Sequence, residues 1–101
     1  MLIHCNSKEE FQEAIKEGTV VVDFYADWCG PCKMLAPVME RLADEGFKVV
    51  KVNVDEQEEL AREYSVMSIP AIFIYDDGKI KKQSVGYLPY EAIIPFLKKD
   101  N

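Results

Sequence analysis

Apolar and polar positions along this chain fall into blocks whose spacing switches between that of a strand and that of a helix. Leu2-Ile3-His4 is a short strand candidate. Ser7, followed three residues later by Glu10, is a capping box. Phe11, Ala14 and Ile15 give the helix it opens an i, i+3, i+4 stripe, and Gly18 can end it. Val20 to Ala26 is apolar on both faces except for Asp23, as a central strand covered by helices would be. A helix is predicted from about Cys29 to Glu45, with Met34, Leu35, Val38, Met39 and Leu42 inward and Gly46 as its stop. Pro37 lies inside it and should kink it. Lys48 to Val54 alternates, with Val50, Val52 and Val54 on one face.

Asp55 with Glu58 reads as a second capping box, opening a short helix that buries Leu60, Ala61 and Tyr64. Ala71–Tyr75 and Ile80–Val85 are strands around a hairpin signal, Asp76-Asp77-Gly78-Lys79. Lys79, Lys81 and Lys82 would protect an exposed edge from pairing with other chains. A last helix carries Ile93, Phe96 and Leu97 inward, and Pro95 should kink it or delay its start. The order β-α-β-α-β-α-β-β-α predicts an α/β fold: a partly parallel sheet with helices on both faces and an antiparallel edge from the closing hairpin. No internal repeat or flexible linker interrupts it, so residues 1–101 are expected to form one domain.

Composition narrows the class. A chain of 101 residues, 49% hydrophobic and 30% charged, supports a single core. Its apolar runs are too short to span a bilayer, and its first residues lack the basic and long apolar regions of a signal peptide. A cytoplasmic chain without membrane contact is expected. The net charge of −6, with no basic cluster interleaved with aromatics, argues against nucleic acid as a partner. Glu56, Glu58, Glu59 and Glu63 read as a solvated helix face. Three cysteines are an odd count for a disulfide framework, so a Cys-x-x-Cys pair is either catalytic or metal-binding.

That pair lies in Trp28-Cys29-Gly30-Pro31-Cys32-Lys33, directly after the central strand. If a helix starts there, unpaired backbone N–H groups and the macrodipole favour a thiolate at Cys29. A thiolate attacks disulfides, and Cys32 lies close enough to resolve the mixed disulfide. The competing reading is a zinc half-site. Zinc takes four ligands, and the remaining soft candidates, His4 and Cys5, are neighbours on a strand and point to opposite faces. Cys5 itself reads as a buried inert thiol, with an exposed secondary thiol as the alternative. Asp23 is a carboxylate in an apolar strand, where burial raises a carboxyl pKa. It reads as the proton acceptor for Cys32, through a water, or as a structural carboxylate paired with a lysine, and the two readings are compatible.

Val22-Asp23-Phe24-Tyr25-Ala26-Asp27-Trp28-Cys29-Gly30-Pro31-Cys32-Lys33-Met34-Leu35-Ala36-Pro37 closely resembles the active-site segment of the thioredoxin family. The likeness covers nearly the whole chain, through Lys51-Val52-Asn53-Val54-Asp55, Ser68-Ile69-Pro70-Ala71, Asp77-Gly78 and Val85-Gly86. It implies the thioredoxin fold, a central mixed sheet of about five strands flanked by helices on both faces. It implies that Cys29 is the exposed nucleophile with a lowered pKa and Cys32 the buried resolving thiol, and it matches Lys51 to the family's buried lysine. Ile69-Pro70 resembles the cis-proline loop that faces the dithiol and pairs with an extended substrate backbone; the alternative is a trans proline starting an edge strand.

Trp28, Met67, Ile69, Gly86 and Tyr87 are the implied apolar rim for partner proteins, though Met67 and Tyr87 could equally be core. Gly30 and Pro31 join this substrate-facing set and tune loop geometry and redox poise. Two departures stand out: Tyr25 where many members carry Trp, and Ala71 where Thr is usual. The resemblance implies a general protein-disulfide reductase acting on disulfide-containing proteins, monomeric and with no cofactor of its own. Its electron donor would be a thioredoxin reductase, a flavin enzyme drawing on NADPH. An oxidant or isomerase is the alternative, although isomerase-type members commonly carry His where this chain has Gly-Pro; a non-catalytic binding subunit is the other.

Overall fold

A computed structural model describes residues 1–97, so the last four residues of the expected domain lie outside the described part. Its order is β1 (Leu2–His4), α1 (Lys8–Ile15), β2 (Thr19–Tyr25), α2 (Gly30–Asp44), β3 (Lys48–Asn53), α3 (Glu58–Glu63), β4 (Ala71–Asp76), β5 (Lys79–Val85) and α4 (Tyr90–Leu97). This is the alternation expected from the pattern. The five strands form one sheet in the order β1-β3-β2-β4-β5. β1 and β2 run parallel to β3, while β4 is antiparallel to β2 and to β5, so the sheet is mixed.

β2 is central and buried along its interior because each sheet face is covered. Val20, Val22 and Phe24 pack with Val50, Val52, Phe73, α1 residues Phe11, Ala14 and Ile15, and α3 residues Leu60 and Ala61. Val21 packs on the other face with Val49, Ile72, Ile74, α2 residues Leu35, Met39 and Leu42, and α4 residues Ile93 and Leu97. Val49 therefore does not fit the polar half of the alternation expected for β3. A strand with helices over both faces buries both sets of side chains. Register then places Asp23 opposite Lys51 on one side and Ile72 on the other, and Tyr25 opposite Asn53.

Several local expectations change. Met34 is 61% exposed rather than inward, and Val38 and Phe96 only border the core. α2 stays helical through Pro37 and α4 through Pro95, so neither proline delays or ends its helix. The second capping box does not form. α3 starts at Glu58 with Gln57 as an N-cap that makes no side-chain bond. The buried Asn53 organises the turn instead, its Oδ1 accepting the N–H of Asp55 at 2.9 Å. The first box forms in its Ser7 half: Ser7 Oγ accepts the N–H of Glu10, while the Glu10 carboxylate accepts the N–H of Asn6 rather than that of Ser7. Cys5 is buried, its Sγ 3.1 Å from the Ser7 carbonyl oxygen, and burial pushes its thiol pKa up. Among the described residues no helix is long and apolar enough to cross a membrane, and no group of three or more His, Cys, Asp or Glu could hold a metal ion.

Candidate active site

β2 ends at Tyr25 and α2 begins five residues later, so the dithiol sits at a strand-to-helix junction. Cys29 is the N-cap of α2, with φ −91° and ψ 116°, and Pro31 occupies the first turn, where a missing N–H costs nothing. Cys29 Sγ accepts the N–H of Cys32 at 3.2 Å. A sulfur carrying negative charge would meet the same donor and the positive end of the helix. The two cysteines are joined as a disulfide with Cα atoms 5.2 Å apart. Cys29 is 5% exposed and Cys32 4%, so in this oxidised form Cys29 is scarcely more open than its partner. What separates them is the space each faces.

Cys29 lines a groove of about 550 Å³ together with Trp28, Gly30, Pro31, Met67 and Ile69. Its far wall comes from the loop before β4, where the Ile69–Pro70 peptide bond is cis and the Ile69 carbonyl oxygen lies 3.9 Å from Cys29 Sγ. The Ile69 amide makes no hydrogen bond among the described residues. An unpaired amide at a sheet end is what an extended partner strand can bind. Met67 is 92% exposed, so it belongs to the surface rather than the core. Gly86, at φ +98°, donates its N–H to the Pro70 carbonyl at 2.8 Å and so braces the loop. Tyr87 is exposed but does not line this groove.

Cys32 opens instead on a smaller cavity of about 180 Å³, lined also by Tyr25, Asp27, Lys33 and Lys51. Lys51 connects that space to Asp23, its Nζ 4.0 Å from Oδ2. Asp23 is fully buried and neither of its oxygens accepts a hydrogen bond among the described residues. Burial pushes its pKa up, the Lys51 charge pulls it down, and burial wins, leaving it at about 6. Such a carboxyl can change protonation near neutral pH, as a proton acceptor must.

Some residues in and beside the groove escape a sequence reading. Val54 and Val66 line it from the end of β3 and from before the cis bond, but read as ordinary core valines. Asp55 reads as a helix cap, whereas its Oδ2 accepts the Trp28 indole N–H at 2.9 Å and holds the exposed ring over the groove. The Asn-x-Asp spacing at 53–55 is the available signal.

The sequence profile of the Thioredoxin family matches residues 2–99. The chain belongs to the thioredoxin family. It is 46% identical over 94 residues to a thioredoxin of Bacillus subtilis, which covers 90% of both chains. A thioredoxin of Chlamydia trachomatis is 41% identical over 100 residues, 97% of this chain and 98% of its own. Among solved structures, a mutant thioredoxin from Halobacterium salinarum superposes with a TM-score of 0.90 at 35% identity, over 95% of this chain and 87% of that one. The five-stranded mixed sheet with helices on both faces is the thioredoxin fold. The protein is accordingly a thioredoxin-type dithiol/disulfide redox carrier and a protein-disulfide oxidoreductase working through Cys29 and Cys32. Membership also implies disulfide-containing protein substrates and a reductase partner.

Proposed function

We propose that the protein runs in the reducing direction, as a general protein-disulfide reductase. The observation carrying this reading is Cys29 Sγ at the cap of α2, in a groove whose far wall presents the Ile69 amide, unpaired among the described residues. The Cys29 thiolate attacks one sulfur of a substrate disulfide; the other sulfur leaves as a thiolate and takes a proton. Asp23 accepts the Cys32 proton, and the Cys32 thiolate attacks Cys29 Sγ, releasing the second substrate thiol. Two electrons pass to the substrate, and the Cys29–Cys32 disulfide remains. Lys51 moderates the charge on Asp23. Trp28, Gly30, Pro31, Met67, Ile69 and Pro70 hold the substrate segment, and Gly86 and Tyr87 extend that surface.

A thioredoxin reductase using flavin and NADPH restores the dithiol, and the chain works as a cytoplasmic monomer without a cofactor of its own. The test is the midpoint potential of the Cys29–Cys32 couple in graded dithiothreitol buffers. A value more negative than the glutathione pool is expected, since exchange then runs towards reducing partners. A value well above that pool would replace this reading with an oxidant or isomerase. Cys32→Ser should trap substrates as mixed disulfides on Cys29, and Cys29→Ser should trap none; a partner-binding activity that survives both serines would favour a binding subunit.

A further inference from the structure

Among the described residues Lys51 is the cation beside the buried carboxylate, and its ammonium also lies over an aromatic ring. Tyr25 and Asp23 are two residues apart on β2 and share a face of the sheet, and Lys51 lies in register with Asp23 on β3. The Lys51 ammonium sits 4.4 Å from the centre of the Tyr25 ring, within cation–π range, and 4.0 Å from Asp23 Oδ2. It is thus in contact range of both a π face and a carboxylate that it does not hydrogen-bond. Tyr25 is itself tied to the end of β3, its carbonyl accepting the N–H of Val54 at 2.8 Å.

We propose that Tyr25 is a positioning residue for proton transfer, holding the Lys51 ammonium beside Asp23 so that the carboxylate is charged when the Cys32 thiol must lose its proton. This rests on the reading of Asp23 as the base for Cys32. A lysine side chain has four rotatable bonds, and the cavity shared by Cys32, Tyr25 and Lys51 is open enough for the ammonium to swing away. Losing the π face would let it do so, and Asp23 would then face burial with less compensation. The other groups around Asp23 do not substitute for the contact. β4 presents the apolar Ile72, α2 contributes Cys32 and Lys33 to the cavity, the β2–α2 loop contributes Asp27, and β1 brings the exposed His4 into register with Lys51.

The test follows the Asp23 carboxyl carbon by NMR through a pH titration of the oxidised protein, in which the disulfide cysteines do not titrate. Tyr25→Leu should raise the Asp23 midpoint by roughly half a pH unit or more, and Tyr25→Trp should restore it. Lys51→Met should raise it further, and adding Tyr25→Leu to Lys51→Met should change nothing more. A midpoint unmoved by Tyr25→Leu, or moved equally with Lys51 absent, would overturn the proposal. Should Tyr25→Leu fail to fold, phenylalanine and its progressively fluorinated analogues at position 25 weaken the π face at nearly constant shape; the midpoint should climb along that series, and a flat series would overturn the proposal. In reduced protein, the pH limb of mixed-disulfide resolution should move up with the midpoint. Unchanged resolution in Asp23→Asn would instead sink the base reading itself, while the titration would still report on the Tyr25 contact.

Discussion

At Asp23 burial and charge pull in opposite directions, and the balance sets a stability cost with a definite pH window. The folded-state pKa of about 6 lies above the ordinary 3.8, so folding favours the protonated form. Below about pH 4 both states are protonated and the cost is absent. Between about pH 4 and 6 the unfolded chain releases the proton while the folded one keeps it, so stability falls as pH rises. Above that window the full cost persists, on the order of 3 kcal/mol. Asp23→Asn should therefore raise the urea midpoint at pH 7 and flatten its dependence across this window, while slowing resolution of mixed disulfides by up to about 10²-fold. A variant midpoint at pH 7 below that of the parent would refute the stability argument. The carboxylate inside an apolar strand is legible from the sequence. Its lack of hydrogen-bond partners among the described residues and the lysine beside it are not, because both depend on which strand lies alongside.

Local signals determine element ends unequally. Ser7 caps α1 through a bond spanning three residues, and Ser7→Ala should lower stability by about 1 kcal/mol in chemical denaturation. The hairpin between β4 and β5 is equally local: Asp77 and Gly78 both have positive φ, +51° and +85°. An L side chain at Gly78 is strained in that conformation, so Gly78→Ala should cost about 1–2 kcal/mol, and a cost near zero would mean that the turn rearranges. The start of α3 departs from its sequence signal because both residues that shape it have other partners. Asp55 has the chemistry to cap the helix, but Asn53 takes the turn and the Trp28 indole takes the Asp55 carboxylate. Only the second of these partners is distant in sequence, and it leaves Asp55 exposed beside Trp28 rather than at a helix end. Met34 faces outward for a different reason. A helical stripe gives the direction of the core, but its width depends on how much sheet lies beneath the first turn.

Across the whole molecule, the sheet has two edge strands, β1 of three residues and β5 of seven. β5 is the longer hazard, with Ile80 and Val85 exposed along it. Lys79, Lys81 and Lys82 on that edge oppose pairing with a second copy, because each addition would stack like charges. Replacing all three with threonine should produce self-association in sedimentation velocity at concentrations where the parent chain is monomeric; a monomeric variant would assign edge protection elsewhere. The sequence by itself determined the order of elements, the central strand, the hairpin and the dithiol at a helix start. These rest on periodicity and on interactions spanning a few residues, which the chain carries wherever it is placed. The tertiary structure decided the assembly of the site. It set Cys29 against Ile69, forty positions away, tied Trp28 to Asp55, and brought Lys51 into range of both Asp23 and Tyr25. Strand register and the covering helices settle which distant side chains share a face and lose their water, and no short stretch of chain contains that information.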